Sequence, residues 1–165
     1  MPSILFICTA NRFRSPLAAL YFAREVVNHN DDQDFQVSSA GVWTRDGLPA
    51  TEDVIDFAEQ YDLNLSFHKS RVVSKDILSS ADLILVMESG QKEAIAQEFP
   101  VIKNRIFLLT KAVGYPAYDI PDPYHSKESY EHIGGEIVQL LDNGYEKLTK
   151  LAWELVQKLE LEDNS

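Results

Sequence analysis

The chain has 165 residues, 45% apolar and 25% charged, which suits one globular domain over residues 1–165 with a full hydrophobic core. Its net charge of −11 and pI near 4.7 exclude a broad basic footprint for a nucleic-acid backbone, so an anionic ligand has to be captured locally. One cysteine, Cys8, excludes an internal disulfide, a CxxC redox pair and a thiolate zinc cage. The opening Met-Pro-Ser-Ile carries no basic n-region, and no apolar run approaches the ~18 residues of a membrane span, so the expectation is a cytoplasmic protein without a membrane partner.

In chain order, Ser3–Cys8 reads as a buried strand, a continuous apolar run that ends at a loop. Ser15-Pro16 predicts an N-cap with Pro at the first helical position, and the helix continues to about Asn28. A second strand is expected over 35–40, followed by a loop from Gly41 to Pro49 and an acidic amphipathic helix over 49–61. A short helix over 74–80, a strand over 82–87, a helix over 89–99 and a strand over 105–110 follow. The loop with Pro116, Pro121 and Pro123 leads into one long helix over about 127–161, weakened near Gly134-Gly135 or Gly144. Strands alternating with helices predict an α/β fold, a parallel sheet of four strands covered by helices on both faces. In such a sheet ligands bind outside the carboxyl ends of the strands, where the segment after Cys8 lies.

That segment, Cys8-Thr-Ala-Asn-Arg-Phe-Arg-Ser-Pro16, places a Cys and an Arg at the two ends of a loop of five residues. A loop of this length can turn its backbone N–H groups toward one point. The following helix adds its positive end there, and Arg14 adds a planar fork of donors. A tetrahedral dianion fits such a cradle with the sulfur beneath it, provided the sulfur is a thiolate, a state that a helix N-terminus and an Arg favour. Ser15 can donate its hydroxyl to that sulfur. An isolated Cys-x5-Arg pair is commonplace, but the strand before it and the Ser-Pro after it supply the context that covalent phosphate chemistry needs. Displacement also needs a proton donor for the leaving oxygen. Asp122, between Pro121 and Pro123, is the candidate, and Asp119 is its rival without flanking prolines.

Cys8–Pro16 together with Asp122-Pro-Tyr124 resembles the low-molecular-weight protein tyrosine phosphatases. Ser38-Ser-Ala-Gly41, His68-Lys69 and Asp82-Leu-Ile-Leu-Val-Met-Glu88 resemble further blocks of that family in the same order, so the similarity runs along nearly the whole chain. The resemblance implies a four-stranded parallel sheet of flavodoxin-like topology. It also implies hydrolysis of phosphotyrosine in a protein or peptide through a phosphocysteine on Cys8, with phosphate as product. Arg14 is then the phosphate clamp, Asp122 the general acid and base, and Thr9, Ala10, Asn11, Arg12, Phe13 and Ser15 complete the phosphate-binding loop. Asn11 is the loop's left-handed residue, Ser39 and His68 support Asn11 and Ser15 by hydrogen bonds, and Trp43 and Tyr124 are candidate walls of the substrate cleft. No metal, organic cofactor or nucleic acid is implied, and a monomer is the default.

Three loop positions depart from the family's usual pattern. Ala10 stands where most members have Gly, which requires a negative φ there. Phe13 stands where many members carry a second Cys, which implies that peroxide-inactivated protein recovers poorly with thiols. Arg12 occupies a variable position at the cleft border, where it either attracts acidic flanks of a substrate or simply points into solvent, the default reading. Competing functions are arsenate reduction with an external thiol, hydrolysis of phosphoarginine, which a cationic Arg12 disfavours, and a non-catalytic phosphate-binding module.

Overall fold

The computed structural model describes residues 1–31 and 34–165. Four strands, β1 (Ser3–Cys8), β2 (Gln36–Gly41), β3 (Leu83–Val86) and β4 (Ile106–Leu108), form one parallel sheet in the order β2-β1-β3-β4. Successive side chains of a strand point to opposite faces, so β1 serves two cores at once. Ile4, Phe6 and Cys8 join a cluster with Leu17, Phe22 and Leu141, whereas Leu5 and Ile7 join Leu78, Ile84 and Ile95 on the other face. That is why β1 is apolar at nearly every position rather than alternating.

The helices are α1 (Arg14–Asn28), α2 (Glu52–Glu59), α3 (Lys75–Ser79), α4 (Ser89–Glu98), α5 (Leu109–Ala112) and α6 (Tyr130–Asp163), with a 3-10 turn over Pro100–Arg105. Among the described residues, no helix is long and apolar enough to cross a membrane. The expected α/β architecture is present, with corrections at element ends. α2 starts at Glu52 rather than at residue 49, because the Thr51 hydroxyl accepts the Val54 N–H and fixes Thr51 as the cap. The fourth strand stops at Leu108, where α5 begins and Thr110 turns to donate its hydroxyl to the Tyr118 carbonyl at 2.8 Å.

α6 runs unbroken for 34 residues, so the glycines do not interrupt it. They allow close approach instead. A Cβ on Gly134 would lie 2.7 Å from the Phe57 ring, and one on Gly144 would lie 2.3 Å from Val113. Helix packing, not helix breaking, is what these two positions serve.

Because β1 pairs with β2 on one side and β3 on the other, the chain changes direction across the sheet between β1 and β3. The crevice outside the carboxyl ends of those two strands is the place where such sheets bind ligands. The loop after Cys8 and the turn after Met87 both open into it, and Ile120 joins them by donating its N–H to the Met87 carbonyl at 2.9 Å.

Candidate active site

The loop from Cys8 to Ser15 closes around the Cys8 sulfur. The Asn11 backbone N–H donates to Sγ at 3.2 Å, and the Ser15 hydroxyl lies 3.0 Å from it. Asn11 has φ of +57°, a left-handed conformation that Asn tolerates better than most residues, and Ala10 is not among the positive-φ residues.

The orientation of the Asn11 side chain follows from its partners. Its Oδ1 accepts the Arg71 backbone N–H at 3.0 Å, which leaves Nδ2 to donate to Ser15 Oγ at 2.8 Å and Ser39 Oγ at 2.9 Å. Ser15 Oγ therefore has an incoming donor, and its own proton can point at the sulfur, the nearer acceptor at 3.0 Å, with the Ala40 carbonyl at 3.4 Å as the other.

His68 sets its Nε2 2.7 Å from the Asn11 carbonyl. A carbonyl only accepts, so the imidazole carries its proton on Nε2. Burial holds its pKa below the ordinary 6.5, with the bond to Asn11 opposing that shift. Ser39 and His68 both reach Asn11, whereas Ser15 is reached only through it.

The expected Ser15 cap is corrected. α1 begins at Arg14 after Phe13, which makes no side-chain cap, so Ser15 and Pro16 are the second and third helical residues. The Ser15 hydroxyl cannot satisfy the helix end because the sulfur and Asn11 occupy it.

Arg14 is 2% exposed and is held by two other segments of the chain. It pairs with Glu88, donates Nη1 to the Ile120 carbonyl at 2.8 Å and sets Nη2 3.8 Å from Asp122 Oδ2. Thr9 Oγ1 accepts from Gln91 Nε2 at 3.1 Å, and Gln91 closes a capping box with Glu88 at the start of α4. That helix start thus steadies both ends of the loop.

Asp122 Oδ1 accepts the Tyr124 backbone N–H at 2.9 Å. Asp119 accepts the Ser89 N–H at 2.8 Å at the head of α4 and is not among the residues that line the cleft with Asp122.

Cys8, Ala10, Arg12, Phe13, Arg14, Asp122 and Tyr124 line one cleft of about 240 Å³, together with Thr51 and His125. The Tyr124 ring stands edge-on to the buried Phe13, centroids 6.3 Å apart. Burial raises the Tyr124 phenol above its ordinary pKa, the hydrogen bond with Thr51 opposes that and the Asp53 carboxylate adds to it, so it stays a hydroxyl donor at neutral pH.

Arg12 does not simply point into solvent. Its Nε donates to the Pro49 carbonyl at 2.8 Å, which lays the guanidinium along the cleft border. Trp43 is also corrected: its backbone N–H donates to the Thr9 carbonyl at 3.0 Å, but its side chain is 83% exposed and lies outside the lining.

The sequence reading missed Gly41, Arg71, Glu88 and Gln91. A Cβ on Gly41 would sit 2.7 Å from the Thr9 carbonyl oxygen, so only Gly lets β2 back onto the loop. Glu88 follows a strand's carboxyl end, where ligand-facing residues gather, but nothing local marks Arg14 as its partner.

The family described as low molecular weight phosphotyrosine protein phosphatase matches residues 3–158. A protein-arginine-phosphatase of Geobacillus stearothermophilus is 32% identical over 146 residues, 88% of this chain and 95% of that protein. The low molecular weight protein-tyrosine-phosphatase PtpB of Staphylococcus aureus is 32% identical over 139 residues, 84% of this chain and 93% of that one. The crystal structure of a low molecular weight protein tyrosine phosphatase from T. tengcongensis superposes with a TM-score of 0.81 at 30% identity, covering 89% of this chain and 99% of that chain.

Proposed function

The chain belongs to the low-molecular-weight phosphotyrosine protein phosphatase family, and from that premise we propose that it hydrolyses phosphotyrosine in proteins or peptides with Cys8 as nucleophile. The observation that carries this reading is the convergence of Cys8, Arg14, Asp122, Phe13 and Tyr124 on a single cleft. In the first step the Cys8 thiolate attacks phosphorus. The S–P bond forms and the P–O bond to the tyrosyl ring breaks, while the Asp122 carboxyl gives its proton to the departing phenolate oxygen. In the second, water attacks phosphocysteine, Asp122 takes the water's proton, and thiolate and phosphate are released. The Asn11 N–H and the Ser15 hydroxyl stabilise negative charge on sulfur, both as attacking and as leaving group. Arg14, held by Glu88 and the Ile120 carbonyl, presents a fixed donor to the equatorial phosphoryl oxygens as charge shifts between them.

Phosphoarginine is the second reading, favoured by the 32% identity to a protein-arginine-phosphatase. Two features of this cleft favour tyrosine. Phe13 and Tyr124 offer aromatic surface to a phenyl ring, and Arg12 on the cleft border opposes the positive charge of a guanidinium.

Steady-state turnover of phosphotyrosine, phosphoarginine and phosphoserine peptides decides between them. The expected result is the highest kcat/KM on phosphotyrosine. A wild-type preference for phosphoarginine would overturn the tyrosine reading. In the same assay Asp122→Ala is expected to lose about 10²- to 10³-fold on phosphotyrosine and much less on p-nitrophenyl phosphate, whose leaving group needs little protonation.

A further inference from the structure

The first turn of α2 touches both halves of the cleft. On the phosphate-loop side, the Thr51 backbone N–H donates to the Arg12 carbonyl at 3.0 Å, and Arg12 Nε returns to the Pro49 carbonyl at 2.8 Å. This double tie fixes the turn to the loop that carries Cys8 and Arg14. On the opposite side, the Tyr124 hydroxyl donates to Asp53 Oδ2 at 2.7 Å.

Among the described residues, the Tyr124 hydroxyl is the only group of residues 123–127 that hydrogen-bonds to another element, reaching Asp53 and, on the same turn, the Thr51 side chain, and it is the only partner of the Asp53 side chain. The segment before Asp122 is anchored differently, by the Ile120 N–H on Met87, the Ile120 carbonyl on Arg14 and Asp119 on Ser89. Asp122 therefore sits between one well-tied flank and one flank held through the Tyr124 hydroxyl alone, whose bond to Asp53 is the charge-assisted one. That bond reaches the carboxyl directly, because the Tyr124 backbone N–H is the donor to Asp122 Oδ1.

We infer that Asp53 is a positioning residue for proton transfer: by holding the Tyr124 hydroxyl it registers the Asp122 carboxyl over the phosphate loop, to which its own helix turn is tied. This rests on the reading of Asp122 as the acid. Asp53 touches no reacting atom, and its effect travels through Tyr124. Proton donation matters most for a poor leaving group, so loss of the tie is felt on phosphotyrosine more than on p-nitrophenyl phosphate.

The experiment compares kcat/KM, which reports the steps through cleavage of the P–O bond, for a phosphotyrosine peptide and p-nitrophenyl phosphate. The panel is wild type, Asp53→Ala, Asp53→Asn, Tyr124→Phe, the Asp53→Ala/Tyr124→Phe double variant and Asp122→Ala. Asp53→Ala is expected to lose about tenfold on the peptide and clearly less on p-nitrophenyl phosphate, a part of the full effect of a general acid. Tyr124→Phe keeps the ring and should reproduce that pattern. The double variant should be no worse than either single one, since both break the same link. Asp53→Asn, which keeps an acceptor oxygen, should recover most of the loss.

Equal losses on both substrates, additive losses in the double variant, or wild-type values for Asp53→Ala would each overturn the inference. Asp122→Ala separates the two levels. If it loses equally on both substrates, the acid assignment itself fails. If it shows the leaving-group dependence and Asp53→Ala does not, only the role of Asp53 fails.

Discussion

The phosphate loop and the acid loop meet over one cleft but are built on opposite principles. The loop from Cys8 to Ser15 is locked from beneath: Asn11 is fully buried, and its amide, carbonyl and backbone N–H are bonded to Ser15, Ser39, Arg71, His68 and the Cys8 sulfur. The segment from Asp122 to His125 lies across the top, with a half-exposed Tyr124 and few ties to the rest of the fold beyond the anchored Ile120. Buried and fully bonded groups have one arrangement that satisfies them all, which suits a cradle that must match a dianion. A segment with few ties can lift and return, which suits a group that handles protons and flanks the entrance.

The strongest test of that contrast is Cys8→Ser. It should lower turnover by roughly four orders of magnitude or more while barely moving Tm, because the change removes the nucleophile and leaves the loop's bonds in place. Residual turnover near wild type would sink the mechanism. Next in size is Gly41→Ala, which acts only through loop shape. The added Cβ would press on the Thr9 carbonyl oxygen at 2.7 Å, so kcat/KM should fall by about a hundredfold, the scale of an ångström-level misplacement. A Gly41→Ala protein with full activity would show that the loop is more yielding than its bonding implies.

Asp119→Ala probes the other loop away from its proposed acid. Loss of its bond to Ser89 should cost about 1 kcal/mol of stability, the size of a helix cap, with kcat/KM falling less than about threefold. A loss rivalling that of Asp122→Ala would reassign the acid.

The smallest expected effect is the pH response of His68. Its folded pKa lies below 6.5, so the neutral imidazole contributes stability that is present above the unfolded value and is lost as pH falls through the folded one. Tm should therefore decline more steeply on acidification below about pH 6.5 in the wild type than in His68→Gln. Parallel profiles would mean that the loop does not sense this proton.

Much of the phosphate loop is legible in the sequence because it is contiguous. β1, the spacing of Cys8 and Arg14 and a helix following at once are short-range features, and short-range features survive in sequence; the left-handed Asn11 follows from the family resemblance instead. Even so, Ser15 was misread as a cap. Ser-Pro is an ordinary helix start, and only the neighbouring sulfur and Asn11 show that this hydroxyl is occupied elsewhere. Trp43 is expected in the cleft from its place after β2, yet loop position does not fix side-chain placement, and the exposed ring is not among the lining residues. Glu88 and Asp53 look like ordinary acidic residues at helix starts. Their partners, Arg14 and Tyr124, lie 74 and 71 residues away.

The sequence by itself determined the chemistry available: a lone cysteine on a strand-to-helix loop with an arginine at its far end, and a carboxylate between two prolines. Only the tertiary structure decided which groups serve it. Pairing β1 with β3 brings the Cys8 loop, Glu88 and Ile120 to one crevice. The placement of α2 then sets Asp53 against Tyr124 across the cleft. The reason is range. Backbone geometry propagates over a few residues, whereas the meeting of side chains far apart in sequence follows from how the sheet is ordered and how the helices pack onto it.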